Sequence, residues 1–440
     1  MLETGISLLI LIGLLLAGVP VAFAFAAGVL FMIFALGYDP SFLLPFSFAG
    51  MRTLVLAALI FFILIGGIME KGGLSKYLIN FVDSVVSRVR GGLGAVGSVT
   101  CGIFGAISGT ASGAIACIVP IMVPRMVEEG YPRNYAVSFI TGAAGEALII
   151  PPSIFMIMYG WMTFTSISAC FMAGMLPGIL LMLSFILFNW IMVGRLPTVK
   201  KPRPWGSVKQ VGREVVRTGW PAIPALVMPI FILGSIFAGL VTPTEAAAGG
   251  VFYAILVGFL VYRTLTPKLL GNTLIASSAL IGSIILMLFG AMMLGRMWVM
   301  EGIPAQVAAL MLGISENKYV ILLMCNAVLI FLGMFLDDLS SLVIGTTLLF
   351  PIIQQIGINP VHFAAIVCTN ITMGCFTPPM APLIYIGQRV GGVTFGEMFK
   401  TSMLIVVFVY LPLVLVTTYF PPLSLWLPEL ILGSKVLMAP

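Results

Sequence analysis

Gly105-Ala106-Ile107-Ser108-Gly109-Thr110-Ala111-Ser112-Gly113-Ala114-Ile115 sets a knot of hydroxyl and glycine residues in the middle of an apolar run. Arg88 and Arg90 bound that run on one side; Arg125, Glu128 and Glu129 bound it on the other. Between these flanks there is room for two legs of roughly 15 residues, whereas a helix needs about 20 to cross a bilayer. The stretch therefore reads as a re-entrant hairpin with its tip at 108–113, and one continuous helix with a small-residue packing face is the competing reading. An irregular tip at membrane depth is tolerated only where protein buries it or where it lines a cavity, because each unpaired amide or carbonyl costs several kcal/mol.

A repeat favours the hairpin. The first half reads Pro124-x5-Gly130-x20-Pro151-Pro152-x7-Gly160 and the second Pro351-x5-Gly357-x20-Pro378-Pro379-x7-Gly387, five landmarks at one offset of 227 residues. That offset lays Ser108 to Gly113 over Phe335 to Ser340, again polar residues between apolar legs. A duplicated unit follows, each copy holding a hairpin tip and then a helix interrupted before Pro-Pro. Paired, Gly/Pro-interrupted segments in corresponding positions are the sequence mark of a secondary transporter's binding site.

Composition sets the class. With 60% hydrophobic and 8% charged residues among 440, and a mean hydropathy of +1.18, the chain cannot coat a soluble globule. It reads as an all-α polytopic membrane protein embedded in a lipid bilayer. The net charge of +6 does not point to nucleic acid, because seven of the 21 basic residues (Arg195, Lys200, Lys201, Arg203, Lys209, Arg213, Arg217) crowd one segment. By the positive-inside rule that segment is cytoplasmic. Six cysteines without a CxxC pattern and the single His362 make no transition-metal set. Residues 1–20 lack a basic leader region and are read as membrane-embedded.

The organisation expected is scaffold helices over 1–70 and an interfacial arm over 71–90, where apolar residues recur at helical spacing. A first hairpin and broken helix follow over 91–165, a scaffold helix over 166–194, the basic loop over 195–219 and further scaffold over 220–300. The second half repeats the plan with an arm over 301–318, a hairpin and broken helix over 319–390, and a C-terminal span and tail over 391–440. Residues 5–37 form either two short helices broken at Gly18-Val19-Pro20 or one kinked one. Pro151 is expected to start the second half-helix of the first break, His362 to sit at the interface, and Thr242-Pro243-Thr244-Glu245 to form a capping box.

A helix that stops inside the membrane offers carbonyls to a small hard cation, and one that starts there offers amides and its positive dipole end to an anion. Ser108, Ser112, Gly142 and Gly145 in the first half, and Asp337, Ser340, Asn370, Thr372 and Gly374 in the second, are the expected cation ligands. Thr110, Pro151, Ser153, Asp338, Ser341, Thr377 and Pro378, at the same tips and breaks, are assigned to the solute. Asp337 or Asp338 can alternatively cap the leg that starts at Leu339. Arg125 and Glu146 carry no assigned role; Glu146 either tunes coupling or substrate charge, or points into a scaffold cleft.

At Ser108-Gly109-Thr110-Ala111-Ser112, Ile150-Pro151-Pro152-Ser153, Val241 to Ala248, Gly333 to Asp337, Gly357 to Phe363 and Thr377-Pro378-Pro379 the chain resembles the large membrane subunit of the tripartite ATP-independent periplasmic (TRAP) transporters. The resemblance covers nearly the whole chain. It implies two inverted repeats and an elevator-type, Na+-driven symport of a small organic acid bearing a carboxylate, such as a C4-dicarboxylate or sialic acid, across the bacterial inner membrane. It also implies two partners, a small four-helix membrane subunit and a periplasmic solute-binding protein. Gly145-Glu146-Ala147 and Met380-Ala381-Pro382 depart from the family's usual runs. A self-sufficient sodium-dicarboxylate carrier is the near alternative. An intramembrane protease is remote, because neither Gly-x-Ser-Gly nor Gly-x-Gly-Asp occurs, and no enzymatic activity is expected.

Overall fold

The computed structural model describes residues 2–89, 91–196, 198–200 and 208–433. Arg90, Lys201, Arg203 and the Lys209 side chain, used above to read charge flanks, lie outside the described residues. Every regular element among the described residues is helical, and nine helices or broken helices are long and apolar enough to cross a membrane.

The N-terminal segment is two helices, Leu2–Leu16 and Val21–Leu36. Gly18 adopts φ 81°, a conformation that glycine reaches without strain, and Pro20 has no amide to continue a helical ladder. Val21–Leu36 packs on the long helix Pro267–Met300, which also lies against Leu54–Lys71. Leu54–Lys71 in turn pairs with Pro243–Leu256. Thr242 and Glu245 close the expected capping box there. These helices, with Val208–Phe237, form a frame.

The other parts obey the 227-residue offset. Gly92–Ser108 and Ala111–Glu128 form the first hairpin, and Lys318–Phe335 and Asp338–Gln355 the second. The first broken helix is Arg133–Ala143, Glu146–Ile149 and Ile154–Thr163; the second is Pro360–Cys375 and Pro382–Gly391. The half-helices cross over between copies. Pro382–Gly391 packs on Arg133–Ala143, and Ile154–Thr163 on Pro360–Cys375. A methyl group on Gly145 would sit 2.8 Å from Thr372 Cγ2. Since these two positions are equivalent under the offset, the approximate two-fold axis relating the copies runs between them. Five segments long and apolar enough to cross a membrane (133–163, 167–194, 208–237, 243–261 and 267–300) lie between the hairpins, the odd number that an inverted second copy requires.

Ile167–Gly194, expected from sequence as a scaffold helix, packs on the broken helices. Its Gly174 and Gly178 fit against Ile149 and Ile150, and its Phe185 against Gly142. The span Phe395–Tyr419 also packs on the broken helices. The first broken helix is the most enclosed of the candidate spans: 94% of its most apolar stretch is buried, against at most 50% for the others.

The arm Leu74–Val86 joins frame and hairpin. Toward the frame, Arg88 pairs with Glu214, Thr218 Oγ1 donates to Ser84 Oγ at 2.8 Å, and Tyr77 stacks on Tyr262 at 4.6 Å. Toward the hairpin, Arg125 Nη2 donates to Asn80 Oδ1 at 2.9 Å, which gives Arg125 a structural post. The second arm, Ile303–Ile314, packs on Asp338–Gln355.

Candidate functional site: two hairpin tips and a cleft

The first tip forms because Gly109, at φ 63°, ends Gly92–Ser108 with its N–H bonded to the Gly105 carbonyl at 2.8 Å. Thr110 is extended, and Ala111–Glu128 starts with no side-chain cap, so its first amides remain available at the tip. Ser108 is buried and makes only long contacts with the Thr110 backbone (3.4 and 3.5 Å), while Ser112 is exposed. The tip presses on the frame: a methyl on Gly66 would lie 3.2 Å from the Ser108 carbonyl oxygen.

At the first break, the half-helix starts at Ile154 rather than at Pro151. Ser153 caps it, accepting from Phe155 N–H at 3.2 Å while donating to the Leu148 carbonyl at 2.5 Å. Ser153 thus spans the interruption and its hydrogen bonds stay within the segment. The Gly142 carbonyl already accepts from Gly145 N–H (2.9 Å) and Tyr410 hydroxyl (2.7 Å), and the Gly145 carbonyl from Leu148 N–H (3.0 Å). The structure brings Gly142, Gly145 and Thr372 together around Tyr410. Glu146 lies in no frame cleft. It is fully buried, its Oε1 accepting from Ser98 Oγ at 2.6 Å and its Oε2 without a partner.

At the second tip Asp337 caps Asp338–Gln355, accepting from Ser340 N–H at 3.2 Å through Oδ2, while its Oδ1 is buried without a partner. Asp338 accepts from its neighbour Leu339 N–H at 2.9 Å. Ser341 Oγ is in reach of the Leu332 and Asp337 carbonyls (3.1 and 2.8 Å), and Ser340 Oγ faces Met287 Sδ at 3.5 Å.

At the second break the Gly374 carbonyl accepts from Thr377 N–H (2.8 Å), and Thr377 Oγ1 donates to the Met373 carbonyl (2.6 Å). Thr372 Oγ1 donates to the Cys368 carbonyl at 2.7 Å. The final half-helix starts at Pro382, past Pro378, with Ala381 at φ 33° before it. Asn370 Nδ2 donates to Asn326 Oδ1 (2.9 Å) and to the Ile366 carbonyl (2.8 Å), leaving its Oδ1 buried and unpartnered. Asn326 continues to Thr418, and His362 bonds Ser424 Oγ at 2.6 Å. His362 is therefore buried inside a polar network, where Ser424 of the C-terminal helix Pro422–Leu432 meets its ring.

Between the first tip and the frame is a cleft of about 310 Å³. Ser108, Thr110 and Ser112 line one side, and Glu70, Lys71, Asn272 and Ser277 of the frame the other. Lys71 Nζ and Glu70 Oε1 are 2.9 Å apart. The frame residues were not singled out from sequence. Glu70-Lys71 ends an apolar run and looks like an ordinary interfacial flank, and only packing turns it toward the tip. Among the described residues no cluster of His, Cys, Asp and Glu suits a metal ion.

Residues 8–423 match the family described as the tripartite ATP-independent periplasmic transporter, DctM component. The chain is 31% identical over 415 residues to the isethionate TRAP transporter permease protein DctMQ of Oleidesulfovibrio alaskensis, a match covering 94% of this chain and 64% of that one. It is also 31% identical to the sialic acid TRAP transporter large permease protein SiaM of Vibrio cholerae, over 96% of this chain and 97% of the relative. The crystal structure of the YdaH transporter of Alcanivorax borkumensis shares the fold, with a TM-score of 0.59 at 15% identity over 86% of this chain and 87% of that one. The paired tips, the inverted copies and this match along the whole chain agree: it belongs to the DctM component family of the TRAP transporters.

Proposed function

We propose that this multi-pass inner-membrane permease, a transporter rather than an enzyme, is the carrier of a Na+-driven symport for an organic acid. The observation carrying the proposal is the cleft, where the uncapped start of Ala111–Glu128 faces Lys71 across about 310 Å³. Free amides at a helix start and a lysine are what a carboxylate needs. Asp337 Oδ1 and Asn370 Oδ1, both buried without a partner, are the oxygens that fit a cation in the second half. Ser108 and Ser112 serve the first half, with Ser340 beside Asp337 at the second tip.

The moving body consists of both hairpins and both broken helices, widened to include the spans 167–194 and 395–419 that pack on them. Movement of this body against the frame exposes the cleft to alternate sides, the arms being the links. A small four-helix membrane subunit and a periplasmic solute-binding protein complete the system, as the tripartite family description supports.

Cysteine pairs test the movement. A methyl on Gly295 of the frame would lie 3.4 Å from Thr347 Cγ2 of the second hairpin, near disulfide range. In a background lacking the six native cysteines, oxidised Gly295→Cys/Thr347→Cys is expected to stop sodium-driven uptake in proteoliposomes and to recover on reduction. Gly391→Cys/Val137→Cys, with a 3.1 Å spacing inside the body, is expected to be tolerated. Equal behaviour of the two pairs rejects the elevator. Asn370→Ala is expected to raise the sodium concentration for half-maximal uptake several-fold. Asn326→Ala, which removes the neighbouring amide but leaves Asn370 Oδ1, is the control that separates this effect from loss of the network.

A further inference from the structure

Resting on the carrier reading above, the geometry points to a singly charged, hydroxyl-bearing acid as the solute of the cleft, with the Glu70–Lys71 pair as the device that excludes dianions. Counting the protein's own groups, and leaving aside the sodium assigned to Ser108 and Ser112 on the tip side, the charge in the cleft is nearly balanced before any solute enters. Lys71, the cationic side chain that lines it, is held 2.9 Å from the Glu70 carboxylate. The remaining positive end is the start of Ala111–Glu128, worth roughly half an elementary charge. One carboxylate matches that. A second would face Glu70 or the apolar wall of Ile63, Leu269 and Leu280, where an unpaired anion is costly.

The polar groups between these poles are hydroxyls and an amide. Ser277 is 6% exposed, and its hydroxyl lines the cleft with no hydrogen-bond partner among the described residues. A methyl on the neighbouring Gly67 would fall 2.7 Å from that Oγ, so the glycine keeps the space at the hydroxyl open. Ser112 and Asn272 are exposed to the same space. The Ser277 hydroxyl, nearly buried and left unpaired, penalises a solute that cannot bond it, so the cleft favours a solute with a hydroxyl on its body. A simple dicarboxylate offers its polar atoms only at its two ends.

The pair also gives the proposal a gain-of-function test. Glu70→Gln keeps the shape of the cleft, frees Lys71 and raises the net charge by one, which should admit a second carboxylate. The full chain, in lipid nanodiscs with sodium, is titrated with gluconate, a polyhydroxy monoanion, and with succinate, an unhydroxylated dianion, while thermal stabilisation is read. In the wild type, gluconate is expected to stabilise at concentrations at least tenfold lower than succinate. Glu70→Gln should bring the two within about threefold, and Ser277→Ala should weaken gluconate alone. Succinate acting in the wild type at concentrations equal to or below gluconate, or Glu70→Gln leaving the ratio unchanged, overturns the monoanion assignment while leaving the carrier cleft intact. If neither anion stabilises any variant, the cleft itself is rejected as the solute site, and this inference falls with it.

Discussion

Gly374→Leu is expected to leave no folded carrier, seen as loss of the monodisperse peak in detergent and of all uptake. A methyl at Gly374 would already lie 2.7 Å from Gly333 Cα and 2.8 Å from the Ile330 carbonyl oxygen. Both obstacles are backbone of a packed hairpin leg and cannot swing aside as a side chain can. Overpacking of this kind costs about 1–3 kcal/mol where the surroundings yield, and here they yield least. The first copy has the same contact, displaced by one residue on the hairpin leg: a methyl on Gly105 would lie 2.5 Å from Ala147 Cα, and Ala147 is the offset partner of Gly374. Gly105→Leu is therefore expected to fail in the same way. Gly282→Leu, on an exposed face with nothing within 4 Å, should fold and transport normally. If Gly374→Leu transports at the rate of Gly282→Leu, close backbone approach is not what fixes the hairpin to its broken helix.

Asp337→Asn is expected to separate the cap from the ion. Asparagine caps helices about as well as aspartate, so the bond from Ser340 N–H should survive and stability should change by less than about 1 kcal/mol. The charge, however, is gone from the one carboxylate at this tip with a buried, unpartnered oxygen. Uptake should need at least tenfold more sodium, or cease. Asp337→Ala removes both functions and should lose stability as well, by about 0.5–2 kcal/mol. An Asp337→Asn protein with unaltered sodium dependence would leave Asp337 a cap and nothing more.

The repeat, the hairpins and the breaks were legible because they are written in punctuation: Gly109 at the first tip, and Gly130 and Pro151 with their offset partners Gly357 and Pro378, set the backbone locally, whatever surrounds them. The arms were legible from the spacing of Leu74, Leu78 and Phe81. What sequence did not give is direction. Ser153, Gly142 and Thr377 stand where a binding residue is wanted, yet their hydrogen-bonding groups are taken up by Leu148, Tyr410 and Met373. Spacing places a residue near a break; packing decides which way it faces. Glu70 and Lys71 are the converse case, charges at the end of a span whose importance depends on a hairpin some forty residues further on. The packing of the span 167–194 on the broken helices was not legible for a related reason, since its evenly apolar composition does not say whether lipid or protein surrounds it.

The near-total enclosure of the first broken helix bears on how the protein is made. A span that meets almost no lipid in the finished molecule must nonetheless leave the translocon through lipid, carrying Glu146 with it. A charged residue at the centre of an isolated helix costs about 2.5–3.5 kcal/mol on insertion, and the interruption at Pro151-Pro152 leaves backbone groups without partners until neighbours arrive. Of the neighbours that later shelter it, the helix Leu54–Lys71 and the first hairpin have been synthesised by then, and the hairpin already holds Ser98, the hydroxyl that meets Glu146. Pro360–Cys375 and Tyr410 are translated more than 200 residues later. The nascent chain therefore holds a poorly solvated half for most of its synthesis, waiting for its own second copy, and that interval is when a membrane chaperone or quality-control protease would find it.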